Sequence, residues 1–131
     1  MPADPSEEEF YTSLITQADC GMLLDVTNTY SNAVNFGFDP YAQIQQFPLD
    51  RVVEIHIACG RWTDGFLEDS HDAPVMTKVW DLLEFTLEHC SPKAILLERD
   101  AQFPNNLDEI IRDVDRARTL FDRAKDRRVR G

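Results

Sequence analysis

The stretch RVVEIHIA, residues 51–58, decides the fold of this chain. It is short and mostly β-branched, which is typical of a strand buried inside a sheet. Two polar residues, Glu54 and His56, nevertheless lie in its middle. Side chains alternate along a strand, so Glu54, His56 and Ala58 share one face while Ile55 and Ile57 share the other. The stretch therefore predicts a strand with one apolar face for helices and one face that carries polar groups.

Two further stretches have the same character. They are CGMLLDV at residues 20–26 and AILLERD at residues 94–100. In the first, Leu23 and Asp25 share a face, and in the second Leu96, Glu98 and Asp100 do so. Each predicted strand thus becomes polar toward its carboxyl end on one side.

Between the strands, apolar residues recur at helical spacing. This spacing predicts helices at about residues 7–17, 41–47, 75–89 and 107–124, with polar loops over 27–40 and 59–74. The loop over 59–74 is longer than a plain connection needs, and loops of that length are usually functional or disordered. The order of elements alternates helix and strand, which predicts an α/β fold with parallel strands joined by right-handed crossovers.

Ligand sites in parallel α/β folds lie at the carboxyl ends of the strands. We expect polar side chains from the three strands and from the loop after the second strand to meet there: Asp25 or Asn28, His56, Asp69, His71 and Glu98. Carboxylates, an amide oxygen and imidazoles suit iron, manganese or zinc. Because no cysteine stands among these residues, the set favours iron or manganese over structural zinc.

Simpler interpretations of the same residues stay open. His56 alone is also what a hydrogen-bonded core histidine looks like, and Glu98 has Arg99 or Arg51 as candidate ion-pair partners. The Asp-Ser-His triplet at 69–71 also suits a solvated loop or a helix N-cap. Spacing alone therefore makes a metal site a hypothesis.

Charge and composition exclude several classes of partner. The chain has 131 residues, with 13 Lys and Arg against 24 Asp and Glu, and a formal net charge of -11. This charge disfavours nucleic acid and anionic lipid. No run approaches the roughly 18 apolar residues that cross a bilayer, and the acidic N-terminus lacks the basic region of a signal peptide, which predicts a cytoplasmic protein. The three cysteines are widely spaced and indicate neither a disulfide framework nor a C-x-x-C motif.

Four blocks, in this order and spacing, resemble the later half of the multinuclear non-heme iron-dependent oxidative enzymes. They are GMLLDVTNTYSNAVNFGFDPYA, LDRVVEIHIA, DSHDAPV with the following VWDLLEFTL, and AILLERD. The family includes enzymes that modify cysteines of methanobactin-type and other ribosomally made peptides. The resemblance implies a triosephosphate-isomerase (TIM) barrel with two or three iron ions, manganese or zinc being the alternatives. It further implies dioxygen as oxidant, a peptide substrate, and a partner protein that delivers the precursor peptide.

The resemblance also implies roles for individual residues. Its metal ligands would fall on Asn28, His56, Asp69, His71 and Glu98. Asp100 becomes a candidate catalytic residue for substrate or proton handling. Asp25 and Glu54 become candidates for a supporting role beside the metal ligands.

The chain is short for a complete barrel, which takes about 200 to 250 residues or more. We therefore expect a disordered leader at 1–6, a partial TIM barrel of about three βα units at 7–126, and a basic tail at 127–131. Such a piece would act as the C-terminal half of an iron-dependent enzyme, completed by a complementary barrel half or by homo-oligomerisation. The alternatives are a non-catalytic half-barrel that serves as an interaction module, and a xylose-isomerase-like metal-dependent barrel enzyme.

Overall fold

A three-stranded parallel sheet forms the centre of the protein. The computed structural model describes residues 7–58, 60–63, 66–69, 75–98 and 108–130. The elements in chain order are α1 (Glu7–Ala18), β1 (Met22–Asp25), α2 (Val26–Phe36), α3 (Pro40–Gln46), β2 (Val52–Ile57), β3 (Gly60–Thr63), β4 (Phe66–Asp69), α4 (Thr77–His89), β5 (Ala94–Leu97) and α5 (Asp108–Arg130). The parallel strands stand in the order β1-β2-β5. The predicted α/β alternation is confirmed, and the open sheet is consistent with part of a barrel.

One face of the sheet carries the hydrophobic core. Leu24 of β1 and Ile55 and Ile57 of β2 are almost fully buried on this face. The apolar side of α4 packs in the same cluster through residues such as Val79 and Leu83. The apolar face that the alternation of side chains predicted is therefore the face on which the helices pack.

The opposite face of the sheet is open. Strand register places Leu23 beside Glu54, and Asp25 beside His56, which in turn lies beside Leu96. Leu23 is 47% exposed and Leu96 is 43% exposed, which is unusual for leucines in a parallel sheet. The leucines beside the polar residues of this face are thus partly exposed, whereas the His56 side chain is 17% exposed.

The pairing of β1 with β2 contains one irregularity. Met22 pairs with Val52 but Leu23 pairs with Glu54, so Val53 is an extra residue on β2. The Val53 side chain occupies the space that a Cβ atom at residue 21 would need. Residue 21 therefore has to be glycine.

The polar stretch after β1 is a helix, and the prediction of a loop over 27–40 was wrong for most of its length. The carboxylate of Asp25 accepts a hydrogen bond from the Asn28 N–H at 2.9 Å and so caps the start of α2. Gly37, with φ of 75°, ends the helix in the left-handed conformation. Val26 and Ala33 on its buried face pack toward the core. Caps and packing together outweigh the weak helix propensity of its Asn, Thr and Ser residues.

The segment after β2 also differs from expectation. Residues 60–69 contain an antiparallel pair, in which Gly60 of β3 faces Asp69 of β4. The prediction of a loop over all of 59–74 was therefore wrong for these two strands. The Asp64-Gly65 pair between them is typical of hairpin turns, and it is the signal that would have revealed the pair.

The last helix is longer than its sequence pattern suggested. α5 runs to Arg130, so residues 127–130 of the predicted basic tail lie in this helix, and the division of the chain into leader, barrel part and tail stays a prediction. The predicted disordered leader at 1–6 lies outside the described residues. No helix in the described ranges is both long enough and apolar enough to span a bilayer. The cytoplasmic location stays a prediction.

Candidate metal centre

The candidate site begins with the polar residues of β2. Glu54 and His56 project from the open face, two residues apart on the same strand. Glu98 directly follows β5, and its N–H donates to the Ile57 carbonyl at 3.0 Å, which extends the parallel pairing by one residue. This bond brings the Glu98 side chain alongside the end of β2.

The imidazole of His56 lies between two carboxylates. Its Nδ1 is 2.5 Å from Oε1 of Glu98, and its Nε2 is 3.3 Å from Oε1 of Glu54. The His56 side chain is 17% exposed, against 26% for Glu98 and 39% for Glu54. The contact with Glu98 has the length of a charge-assisted hydrogen bond, and both side chains are mostly buried. Glu98 therefore orients the ring, whereas Glu54 lies toward the solvent.

The second ring nitrogen of His56 is left without a hydrogen bond. Nε2 is a buried atom with no hydrogen-bond partner among the described residues, and its 3.3 Å contact with Glu54 has the distance of an ion pair. In the tautomer whose Nδ1–H donates to Glu98, the lone pair of the ring lies on Nε2. A carboxylate that holds one ring nitrogen while the other is free is the usual support for a metal-binding histidine.

The described residues do not complete a metal site by themselves. Among them, no group of three His, Cys, Asp or Glu side chains is arranged to hold one ion. The His56 ring lies between the carboxylates of Glu98 and Glu54, so the three side chains do not surround a common point. The donor types suit iron, manganese or zinc, but further ligands are needed.

Asp25 and Asn28 are engaged at the start of α2. The Asp25 carboxylate caps the helix, and its backbone carbonyl accepts the Thr29 hydroxyl at 3.0 Å. The Asn28 side chain is exposed. The register of β1 places Asp25 beside His56, but no described contact joins either residue to the imidazole.

The remaining predicted site residues are not described as side chains. Asp69 is the last residue of β4, of which the backbone alone is described. His71 and Asp100 lie outside the described residues. Their roles as ligands and as a catalytic residue stay predictions.

One buried residue next to the site was not singled out by its sequence pattern. The Thr27 hydroxyl accepts a hydrogen bond from the Ala58 N–H at 2.7 Å and donates to the Ala58 carbonyl at 2.9 Å. Ala58 lies two residues beyond His56 on the same strand. A threonine just past a strand that runs directly into a helix is the only sequence signal, and it is a weak one.

Comparison with known proteins assigns the chain to a family. Residues 2–122 match the family described as RiPP precursor modification enzyme MbnB/TglH/ChrH, where RiPP denotes a ribosomally synthesised and post-translationally modified peptide. The match confirms the resemblance drawn from the four sequence blocks.

Several curated relatives carry only the name UPF0276 protein. One from Bordetella pertussis is 48% identical over 103 residues, which cover 75% of this chain and 36% of the relative. One from Caulobacter vibrioides is 38% identical over 116 residues, covering 88% and 41%. One from Pseudomonas aeruginosa is 37% identical over 131 residues, covering 99% and 46%. The chain thus spans less than half the length of these relatives.

Proposed function

Because the chain belongs to the family of RiPP precursor modification enzymes MbnB/TglH/ChrH, we propose that it is the metal-binding part of an oxidative enzyme. Its substrate would be a cysteine side chain of a ribosomally made peptide, which is oxidised while dioxygen is reduced. A partner protein would deliver the precursor peptide. The metal would be iron, with two or three ions in the complete site, and manganese or zinc are the alternatives.

The observation that carries this proposal is the state of His56. Its Nδ1 is held by Glu98 at 2.5 Å, and its buried Nε2 has no hydrogen-bond partner among the described residues. A buried nitrogen lone pair without a partner is costly unless another group binds it. A divalent cation fits this position, since imidazole and carboxylate are ligands for iron, manganese and zinc.

The residues of this chain would share the work as follows. Glu98 fixes the tautomer and direction of the His56 ring, and Glu54 adds negative charge near Nε2. We propose Asn28, Asp69 and His71 as further ligands, and Asp100 as the group that moves a proton or contacts the substrate. Iron, when bound, would pass electrons from the cysteine substrate to dioxygen.

The open face of the sheet supports a proposal that further polypeptide takes part. Leu23 and Leu96 are exposed beside the polar residues, and β1 and β5 are the edges of the parallel sheet. Unpaired edges and an apolar face are normally covered in a stable protein. We therefore propose that a complementary barrel half, or a second copy of the chain, covers this face and brings the missing ligands.

Metal binding by the full chain is the first test. We would purify the chain under anaerobic conditions, supply Fe²⁺ and measure bound iron. We expect at least about one equivalent in the wild type and a large loss in His56→Ala. His89→Ala is the matched control, because the His89 ring is exposed on α4 and contacts the Phe85 carbonyl at 2.9 Å. Less than one equivalent in the wild type, or equal binding in His56→Ala, would count against the proposal.

Oxidation of a peptide is the second test. The iron-loaded chain would be incubated with cysteine-containing peptides in the presence and absence of dioxygen, and peptide mass would be followed. We expect a mass change that requires both dioxygen and the cysteine, with serine-substituted peptides as controls. The assay would be repeated after addition of a longer family member that could cover the open face. No change in peptide mass in either assay would contradict peptide oxidation.

A second candidate is a non-catalytic half-barrel that docks onto another protein. It is favoured by the exposed leucines of the open face. Partner binding that persists in the double variant His56→Ala, His71→Ala, without bound metal, would support this candidate over the enzyme.

A further inference from the structure

The carboxyl end of β2 extends beyond its neighbour β1. β1 ends at Asp25 and α2 begins at Val26, with no loop between them. Backbone groups of successive strand residues point to opposite sides, and the Ile57 carbonyl points to Glu98 on the β5 side. The N–H and carbonyl of Ala58 therefore point to the side where β1 has already ended.

A side chain takes over the missing pairing. The Thr27 hydroxyl accepts from the Ala58 N–H at 2.7 Å and donates to the Ala58 carbonyl at 2.9 Å. Thr27 is 0% exposed and Ala58 is 2% exposed, so water does not reach these groups. A hydroxyl is suited to this position because it is donor and acceptor at once. Thr27 thus extends the β1–β2 pairing by one residue from within α2.

We propose that Thr27 is a positioning residue for the His56 centre. Its hydroxyl fixes Ala58, and the adjacent Ile57 carbonyl in turn holds the Glu98 N–H at 3.0 Å. These bonds determine where Glu98 stands relative to His56, and hence the 2.5 Å contact that orients the imidazole. That the centre binds metal rests on the proposed function, whereas the placement of the ring does not.

Loss of the hydroxyl would remove the partner that the described residues give to two buried backbone groups of Ala58. Buried groups without partners are rarely tolerated, so the strand end must shift until they find other partners or water. A shift at Ala58 is passed to Ile57 and Glu98 through the backbone and the bond between them. The effect should therefore reach the imidazole although Thr27 does not touch it.

Three variants separate positioning from general stability. Thr27→Val keeps the shape and removes the hydroxyl, and Thr27→Ser keeps the hydroxyl. Thr86→Val makes the same chemical change at another fully buried threonine, whose hydroxyl donates to the Leu82 carbonyl at 2.7 Å within α4. Each variant would be examined at one pH for hydrogen exchange at the Ala58 amide, for the ¹⁵N shifts of the His56 ring, and for affinity for Co²⁺ alone.

In Thr27→Val we expect Ala58 exchange to accelerate and the His56 ring shifts to change. The dissociation constant for Co²⁺ should rise by about 10-fold, the usual effect of losing a support behind a ligand. Thr27→Ser should show the wild-type Ala58 exchange, His56 ring shifts and Co²⁺ affinity. Thr86→Val should lower the melting temperature without altering the His56 signals. Identical ring shifts in Thr27→Val and Thr86→Val would overturn the inference. If Thr27→Val does not fold, Thr27→Cys takes its place, with Thr27→Ser as its reference.

Failure of the proposed function is distinguishable from failure of this inference. A wild-type chain that binds no Co²⁺ would contradict the metal site, and the Ala58 and His56 signals of the metal-free variants would still decide the role of Thr27. A chain that binds Co²⁺ with unchanged affinity and ring shifts in Thr27→Val would contradict the inference and leave the metal site intact.

Discussion

The contact between Glu98 and His56 yields the sharpest prediction about the site. Glu98→Gln keeps the shape of the side chain and removes its charge. A hydrogen bond to a charged group contributes about 1.5–3 kcal/mol, against about 0.5–1.5 kcal/mol for a neutral one. His56 is 17% exposed and Glu98 26% exposed, so solvent reduces the difference to about 1 kcal/mol.

This energy sets the expected loss of metal affinity. If the interaction between Glu98 and the His56 ring weakens by about 1 kcal/mol, the dissociation constant for Co²⁺ rises by roughly fivefold. If Glu98 also binds the ion directly, the loss grows toward about 100-fold. The affinity would be measured by visible absorption during titration with Co²⁺ against a competing chelator, with circular dichroism to check that the fold is retained.

Glu84→Gln is the matched control for charge, because Glu84 is an exposed carboxylate on the outer helix α4. Glu54→Gln should have a smaller effect than Glu98→Gln, since Glu54 is 39% exposed and makes no hydrogen bond to the ring. An affinity of Glu98→Gln within twofold of that of Glu84→Gln would refute the assignment of Glu98 as the support of His56.

Three further predictions concern stability, each measured by urea unfolding. Burial raises the pKa of the Cys90 thiol from 9.0 to about 11. The folded state thus favours the neutral thiol, and this stabilisation is complete below pH 9 and is lost as the pH rises toward 11. The free energy of unfolding should therefore fall by roughly 2–3 kcal/mol more in the wild type than in Cys90→Ala across that range. Gly21→Ala should cost about 1–3 kcal/mol, because its methyl group would overlap Val53 Cγ2, and Val53→Ala should restore most of the loss. Asp25→Ala should cost about 1 kcal/mol through loss of the cap on α2, whereas Asp25→Asn should retain it.

The strands of this protein were predictable because their signal is local. A short β-branched run marks β2 whatever surrounds it, and the alternation of side chains correctly places His56 and Ile55 on opposite faces. The same alternation placed Glu98 on the polar face at the end of the third strand. The meeting of Glu98 with His56 was expected from these two facts, and the structure brings the two side chains into contact. Their role as metal ligands stays a prediction.

The helix α2 was not predictable in the same way. Its residues are individually weak helix formers, and its stability comes from the Asp25 cap, the Gly37 end and a face packed on the sheet. Of these, packing on the sheet exists only in the folded chain. The hairpin of β3 and β4 was missed for a different reason, because the Asp64-Gly65 signal was present in the sequence but lay inside a stretch interpreted as one loop.

The sequence by itself determined the alternation of strands and helices, the face on which each strand residue lies, and the family. These follow from periodicity and from ordered blocks of residues, which need no knowledge of distant contacts. Only the tertiary structure decided that β1 runs into α2 without a loop, that Thr27 completes the pairing of Ala58, and that Nε2 of His56 has no hydrogen-bond partner among the described residues. The physical reason is that hydrogen bonding of buried groups depends on which segments meet in space.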